Sequence, residues 1–163
     1  GLLISGPAPH PMPAIAVRLF AALDRPSIWS PALRLTFQHG WQNGVEEPGG
    51  TADFALDAVA LDLCFLRLSI VAVDLRGCAT ATAGRLSASG SDTYSPASQA
   101  RPFLAVGGTA ILEIALGRWV VLSGSVGAAD TPIREAFEFS PDIFHRVSAT
   151  TLTFDLGIGA RFP

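Results

Sequence analysis

Along much of this chain apolar and polar residues alternate in steps of two. That is the period of a β-strand whose two faces meet different surroundings. The clearest run is the last, Thr150 to Pro163, read T-T-L-T-F-D-L-G-I-G-A-R-F-P. Leu152, Phe154, Leu156, Ile158, Ala160 and Phe162 share one face; Thr151, Thr153, Asp155, Gly157, Gly159 and Arg161 share the other. Small and charged residues opposite an apolar row, with an aromatic at the close, fit a transmembrane barrel strand. The apolar side of such a strand meets lipid and the other side fills a narrow lumen.

The same alternation predicts up to eight strands: 1–5, 14–23, 32–42, 51–66, 69–88, 102–116, 119–129 and 150–163. In the second, Ile15, Val17, Leu19 and Ala21 oppose Ala16, Arg18, Phe20 and Ala22. In the third, Leu33, Leu35, Phe37, His39 and Trp41 oppose Arg34, Thr36, Gln38 and Gly40. In the fourth, Phe54, Leu56 and Ala58 oppose Asp53, Ala55 and Asp57, and the phase blurs after Ala60. The proline-dense stretch 6–13 reads as a loop. Longer connections at 6–13, 43–50, 89–101 and 130–149 alternate with shorter ones at 24–31, 66–70 and 116–119, the asymmetry of outer-membrane barrels. The fold expected is an all-β, antiparallel, up-and-down transmembrane β-barrel of about eight strands in one domain, 1–163.

Composition sharpens this picture. Mean hydropathy is +0.40 and charged residues make up 15%, against the usual ~25%. No run of 18 or more apolar residues occurs, so a membrane helix is excluded. Alternation is what remains to carry so apolar a chain. The soluble alternative, a lipocalin-like barrel or sandwich, requires the apolar rows to face inward. All eleven basic residues are arginine and the net charge is −3. That balance argues against a nucleic-acid face.

The opening G-L-L-I-S-G reads as the last half of a strand. Five residues are too few to cross lipid, where ~9–11 are needed. The expectation is a trimmed or mature chain whose wall is completed by an N-terminal segment or by another chain.

A narrow lumen must pair its charges, because an unpaired buried charge is strongly unfavourable. The alternation assigns Arg18, Arg34, Asp57, Glu113, Asp155 and Arg161 to the lumen, as ion pairs that plug it. A gated ion path is the other use of such a row. Trp29, Trp41, Trp119 and Phe162, with Tyr94, fall near strand ends, where aromatic side chains anchor at a membrane–water interface. Cys64 and Cys78 flank thirteen residues, the length of a hairpin tip. A symmetric hairpin puts the two thiols within disulfide reach; two free buried thiols are the alternative.

His10, His39 and His145 are scattered without metal-ligand spacing, and no cofactor is expected. Ser148, His145 and Asp142 share a loop, which raises a lipid-hydrolase reading; a solvated loop histidine is the simpler one. Phe137, Phe139, Ile143 and Phe144 on that loop offer a contact surface or, equally, the outermost band of strands that extend beyond the lipid.

The ending L-G-I-G-A-R-F-P, the P-I-R-E-A-F-E-F and H-R-V-S-A segments, and the Cys64…Cys78 pair together resemble a family. It is that of the small outer-membrane β-barrel domains found among uncharacterised proteins of GC-rich Gram-negative bacteria. The ending also looks like the terminal signal read by the barrel-assembly machinery, with Phe162 penultimate instead of last. The resemblance implies an outer-membrane location and a barrel fold, and it implies no activity. The expected partners are outer-membrane lipid, the barrel-assembly machinery, and other envelope proteins or a missing N-terminal segment. The expected role is a structural anchor or component of an envelope assembly. A narrow channel or lipophile transporter is the alternative.

Overall fold

The computed structural model describes residues 2–5, 11–23, 27–47, 50–91, 98–132, 136–139, 142–146 and 148–161. No helix occurs among them. The strands are β1 (Leu2–Ser5), β2 (Met12–Ala22), β3 (Trp29–Glu47), β4 (Gly50–Ile70), β5 (Val73–Ser91), β6 (Ser98–Ala115), β7 (Val120–Asp130), β8 (Ala136–Phe139), β9 (Asp142–Arg146) and β10 (Thr150–Ala160).

Seven long strands, β2 to β7 and β10, form one antiparallel sheet curved into an open half-barrel. Each strand up to β7 pairs with the one before it, and β10 pairs with β7. The four-residue β1 joins the two edges at one end only. It pairs Leu2 and Leu3 with Pro13 and Met12 of β2, and Leu2, Leu3 and Ser5 with Phe154, Thr153 and Leu152 of β10. The hydrogen-bonded order is therefore a ring, β1-β10-β7-β6-β5-β4-β3-β2, completed over a short stretch. Among the described residues, Ile15–Ala22 of β2 pair with β3 alone and Leu156–Ala160 of β10 pair with β7 alone.

The hairpin tips explain the strand lengths. Leu116–Trp119 turns where expected, and Ile70 pairs Val73, leaving Val71 and Ala72 as the tip between β4 and β5. The expected turn at 66–70 lies up to five positions early. No glycine or proline marks the true one, and Val71 takes a positive φ of 53°, a region that β-branched residues enter at a cost of about 1–3 kcal/mol. The pairing of Cys64 with Cys78 centres the hairpin on this tip. At the opposite end β3–β4 and β5–β6 extend well into segments expected to be loops, 43–50 and 89–101. The expected long loop 130–149 contains a separate two-stranded hairpin, β8–β9.

Two zones divide the sheet along its strands. Toward the short turns the outward face is apolar: Val17, Leu33, Phe37, Leu61, Leu63, Val126 and Phe154 are all exposed there. Leu156 and Ile158 are 64% and 76% exposed, so the final strand turns its apolar row outward. Toward the long connections the pattern reverses. Met12, Val45, Phe54, Leu56, Leu86 and Phe103 close together inside, while His39, Asp57 and Arg85 face out. Each large apolar side chain buried there contributes roughly 1.5–3 kcal/mol. The change of sign falls on one line of paired residues, His39–Asp57–Arg85.

Candidate functional site: the lumen

The inward row of β3 and β4 carries the central ion pair. Arg34 and Asp62 are opposite one another in the ladder, and Nε of Arg34 donates to Oδ2 of Asp62 at 2.7 Å. Asp62 is only 1% exposed. The hydroxyl of Thr80 donates to its other oxygen at 2.5 Å, and Thr80 in turn lies 2.7 Å from the hydroxyl of Thr109. The carboxylate is thus satisfied from β3 and β5, and β6 holds the thread in place. A buried charge is tolerated only with such full pairing.

Arg18 of β2 forms an ion pair with Asp155 of β10. This contact crosses the open side of the half-barrel. Gly157 makes room for it: a Cβ there would stand 2.8 Å from a terminal nitrogen of Arg18. Nearer the short turns, Arg67 grips Asp74 through two bonds of 2.9 and 3.0 Å. Arg76, 2% exposed, lies 3.8 Å from Glu113 and 5.2 Å above the ring of Phe20. The Cys64–Cys78 bridge faces the same interior, packed with Ala32 and Ile111.

Below the central pairs the lumen widens into a cavity of about 680 Å³. Arg18, Arg34, Arg76, Arg161, Asp74 and Glu113 line it, together with Phe20 and Ile111. Val17 and Ile158, which face outward, line it as well. The cavity therefore reaches the outside between β2 and β10. Above the pairs only a smaller space of about 70 Å³ remains, and the apolar cluster fills the lumen beyond it.

Five of the six residues assigned to the lumen lie there: Arg18, Arg34, Glu113, Asp155 and Arg161. Asp57 does not. It stands on the outer face, where its Oδ1 is 2.6 Å from Nδ1 of His39 in a directly opposed cross-strand pair. The alternation of the fourth strand taken by itself predicts Phe54 and Leu56 facing out; they face in. Asp62, Arg67, Asp74 and Arg76 take the missing lumenal places. The disulfide was the available signal. A bridge fixes Cys64 on the face of Cys78, and Cys78 alternates with Thr80 and Thr82. That sets Asp62 inward and Asp57 outward.

Trp29 and Trp119 are exposed at the short-turn end, and Trp41 is exposed next to the line of sign change. Trp41 stacks on His39 with centroids 5.8 Å apart, and the Arg118 guanidinium lies 5.7 Å over Trp119. Phe162 lies outside the described residues, as do His10 and Tyr94. Ser148 is exposed beyond β9, on which His145 pairs its backbone with Phe137. Among the described residues no group of three His, Cys, Asp or Glu is arranged to hold a metal.

Comparison with protein-family models, with curated proteins and with solved structures finds no match.

Proposed function

We propose that this chain is a β-barrel of a bacterial outer membrane. It acts as a non-conducting structural anchor that presents its long-connection end to other envelope components. The observation that carries this reading is the outward belt. From Trp29 to Phe37 on β3, and over the paired stretches of β2, β4, β5 and β6, the outward positions carry no charge, and the outward His39–Asp57 pair stands at the border of that belt, beside Trp41. Within that belt the ion pairs are confined to the interior. Water gives no reason for that arrangement, and hydrocarbon does. The twelve residue steps from the Trp29 border to the Trp41 border span roughly 40 Å. Tilted by about 40°, as barrel strands are, they cover ~30 Å of height, close to the hydrocarbon thickness of a bilayer. Tryptophans at both borders suit its two interfaces.

A sealed anchor is favoured over a channel because two barriers stand in series, the Arg34–Asp62 and Arg18–Asp155 pairs and the apolar cluster around Phe54. Arg18→Ala alone leaves the second barrier intact. The laterally open cavity favours one further role, holding a lipophile, and binding of a fluorescent fatty acid in detergent micelles tests it.

Folding into lipid vesicles with heat-modifiable migration on gels is the expected behaviour. A chain that stays monomeric and folded in buffer without detergent overturns the membrane reading. Single-channel steps in a planar bilayer overturn the sealed lumen.

A further inference from the structure

The seam between β2 and β10 is an edge on both sides. In an antiparallel ladder alternate residues turn their N–H and C=O groups to opposite sides, so every second residue of Ile15–Ala22 and of Leu156–Ala160 presents its backbone to the gap. In lipid such groups have no water to turn to.

The gap is one strand wide. β1 already occupies its upper end and pairs with both edges, which puts them two strand spacings apart there, roughly 10 Å. Lower down, Arg18 still reaches across to Asp155. The register of β1 also extends without conflict. Leu2 is opposite Phe154 on one side and Pro13 on the other. Two, four and six positions farther along the seam the opposing pairs are Leu156 with Ile15, Ile158 with Val17, and Ala160 with Leu19. All six side chains face outward and are apolar or, for Ala160, small. The intervening pairs are Gly157 with Ala16 and Gly159 with Arg18, all facing in. Both edges therefore ask for the same alternation in whatever lies between them. Nothing stands within 4 Å of where a Cβ on Gly159 would be, so the inner side has room beside that residue.

We propose that the gap between β2 and β10 is a strand-acceptor site. It takes one extended polypeptide segment that runs into β1 from that strand's N-terminal side and hydrogen-bonds to both edges. The segment alternates apolar residues toward lipid with small residues toward the lumen, small because the Arg18 guanidinium already lies over Gly157. Filling the seam closes the lateral mouth of the large cavity between Val17 and Ile158. The driving force rests on the bilayer reading above; the register does not.

Hydrogen exchange on the full chain tests the site. In the chain as it stands, the seam-facing amides of Ile15–Ala22 and Leu156–Ala160 exchange at least ~100-fold faster than paired amides in β4 and β5. Equal protection means the seam is already closed and overturns the proposal. Next, eight residues alternating Leu or Val with Gly or Ser are placed ahead of Gly1. Slowing of at least ~100-fold on both edges is expected. The same segment shifted by one position, which exchanges its two faces, does not produce it. Protection of neither edge, of one edge alone, or equally by the shifted segment overturns the proposal. Should the extended chain fail to fold, the exchange pattern of the parent still decides. Full solubility without detergent would remove the membrane reading, and the exchange comparison, run in buffer, would still give its own answer on the seam.

Discussion

The two zones of this sheet are built on the same strands and obey opposite rules. Toward the short turns, leucine and valine look out and arginine looks in. Toward the long connections, Phe54, Leu56, Leu86 and Phe103 are buried inside while His39, Asp57 and Arg85 look out. No strand breaks where the rule changes, and the alternation continues through it. The backbone is indifferent to which face is apolar, and the surroundings of each zone decide. The outer zone keeps an ordinary dry core. The belt holds only the small dry cluster of Ala32, Cys64, Cys78 and Ile111, and the rest of its interior is held by charges that satisfy one another.

The comparison is broken or sharpened most strongly by Asp62→Ala. Removing that carboxylate leaves Arg34 buried without its counter-charge, and about 3–5 kcal/mol should be lost, read from urea unfolding of protein folded into vesicles. A loss below ~1 kcal/mol would show that water or a neighbouring acid replaces it. Next comes an arginine placed on the outer face of each zone. Leu61→Arg in the belt should cost about 2–4 kcal/mol in a bilayer, whereas Ser87→Arg in the outer zone should cost ~0–1 kcal/mol. Equal costs would mean that both zones meet the same solvent. Loss of the Cys64–Cys78 bridge, by reduction or by Cys64→Ala with Cys78→Ala, should remove about 2–4 kcal/mol. The readout is a lower denaturant midpoint with an unchanged native fold. The smallest effect belongs to Asp57→Ala. Its partner His39 and Asp57 itself are both solvent-exposed, so a change within about 1 kcal/mol is expected. A change as large as that of Asp62→Ala would place Asp57 back in the interior.

Much of this was legible along the chain. The rows of β2, β6, β7 and β10, and of β3 from Ala32 to Gln42 between its two irregularities, keep one phase, because one face stays apolar over nearly the whole membrane-length run. Five lumenal residues followed from that phase, and the disulfide followed from the length of the hairpin tip between Cys64 and Cys78. Asp57 was misplaced because β4, at 21 residues, runs through both zones. Its first half is apolar inward and its second half apolar outward, so the sign learned at Phe54 is wrong at Leu61. The same sign hides Asp62, the irregularity between Cys64 and Leu66 turns Arg67 inward, Asp74 and Arg76 share the alternating face of Cys78 and Thr80 on β5 and were legible there, and no turn-forming residue marks the tip at Val71.

The sequence alone determined the period, the strand type, the antiparallel hairpins and the faces of five of the seven long strands. Side-chain alternation is a local property of an extended backbone, and it survives in the order of residues. The tertiary structure alone decided which acid meets which arginine, where the apolar sign reverses, and that the edges of β2 and β10 face one another across a gap. Those are relations between residues far apart in the chain. They come into being when the sheet curves and brings Arg18 within reach of Asp155, and nothing in the neighbourhood of either residue encodes the encounter.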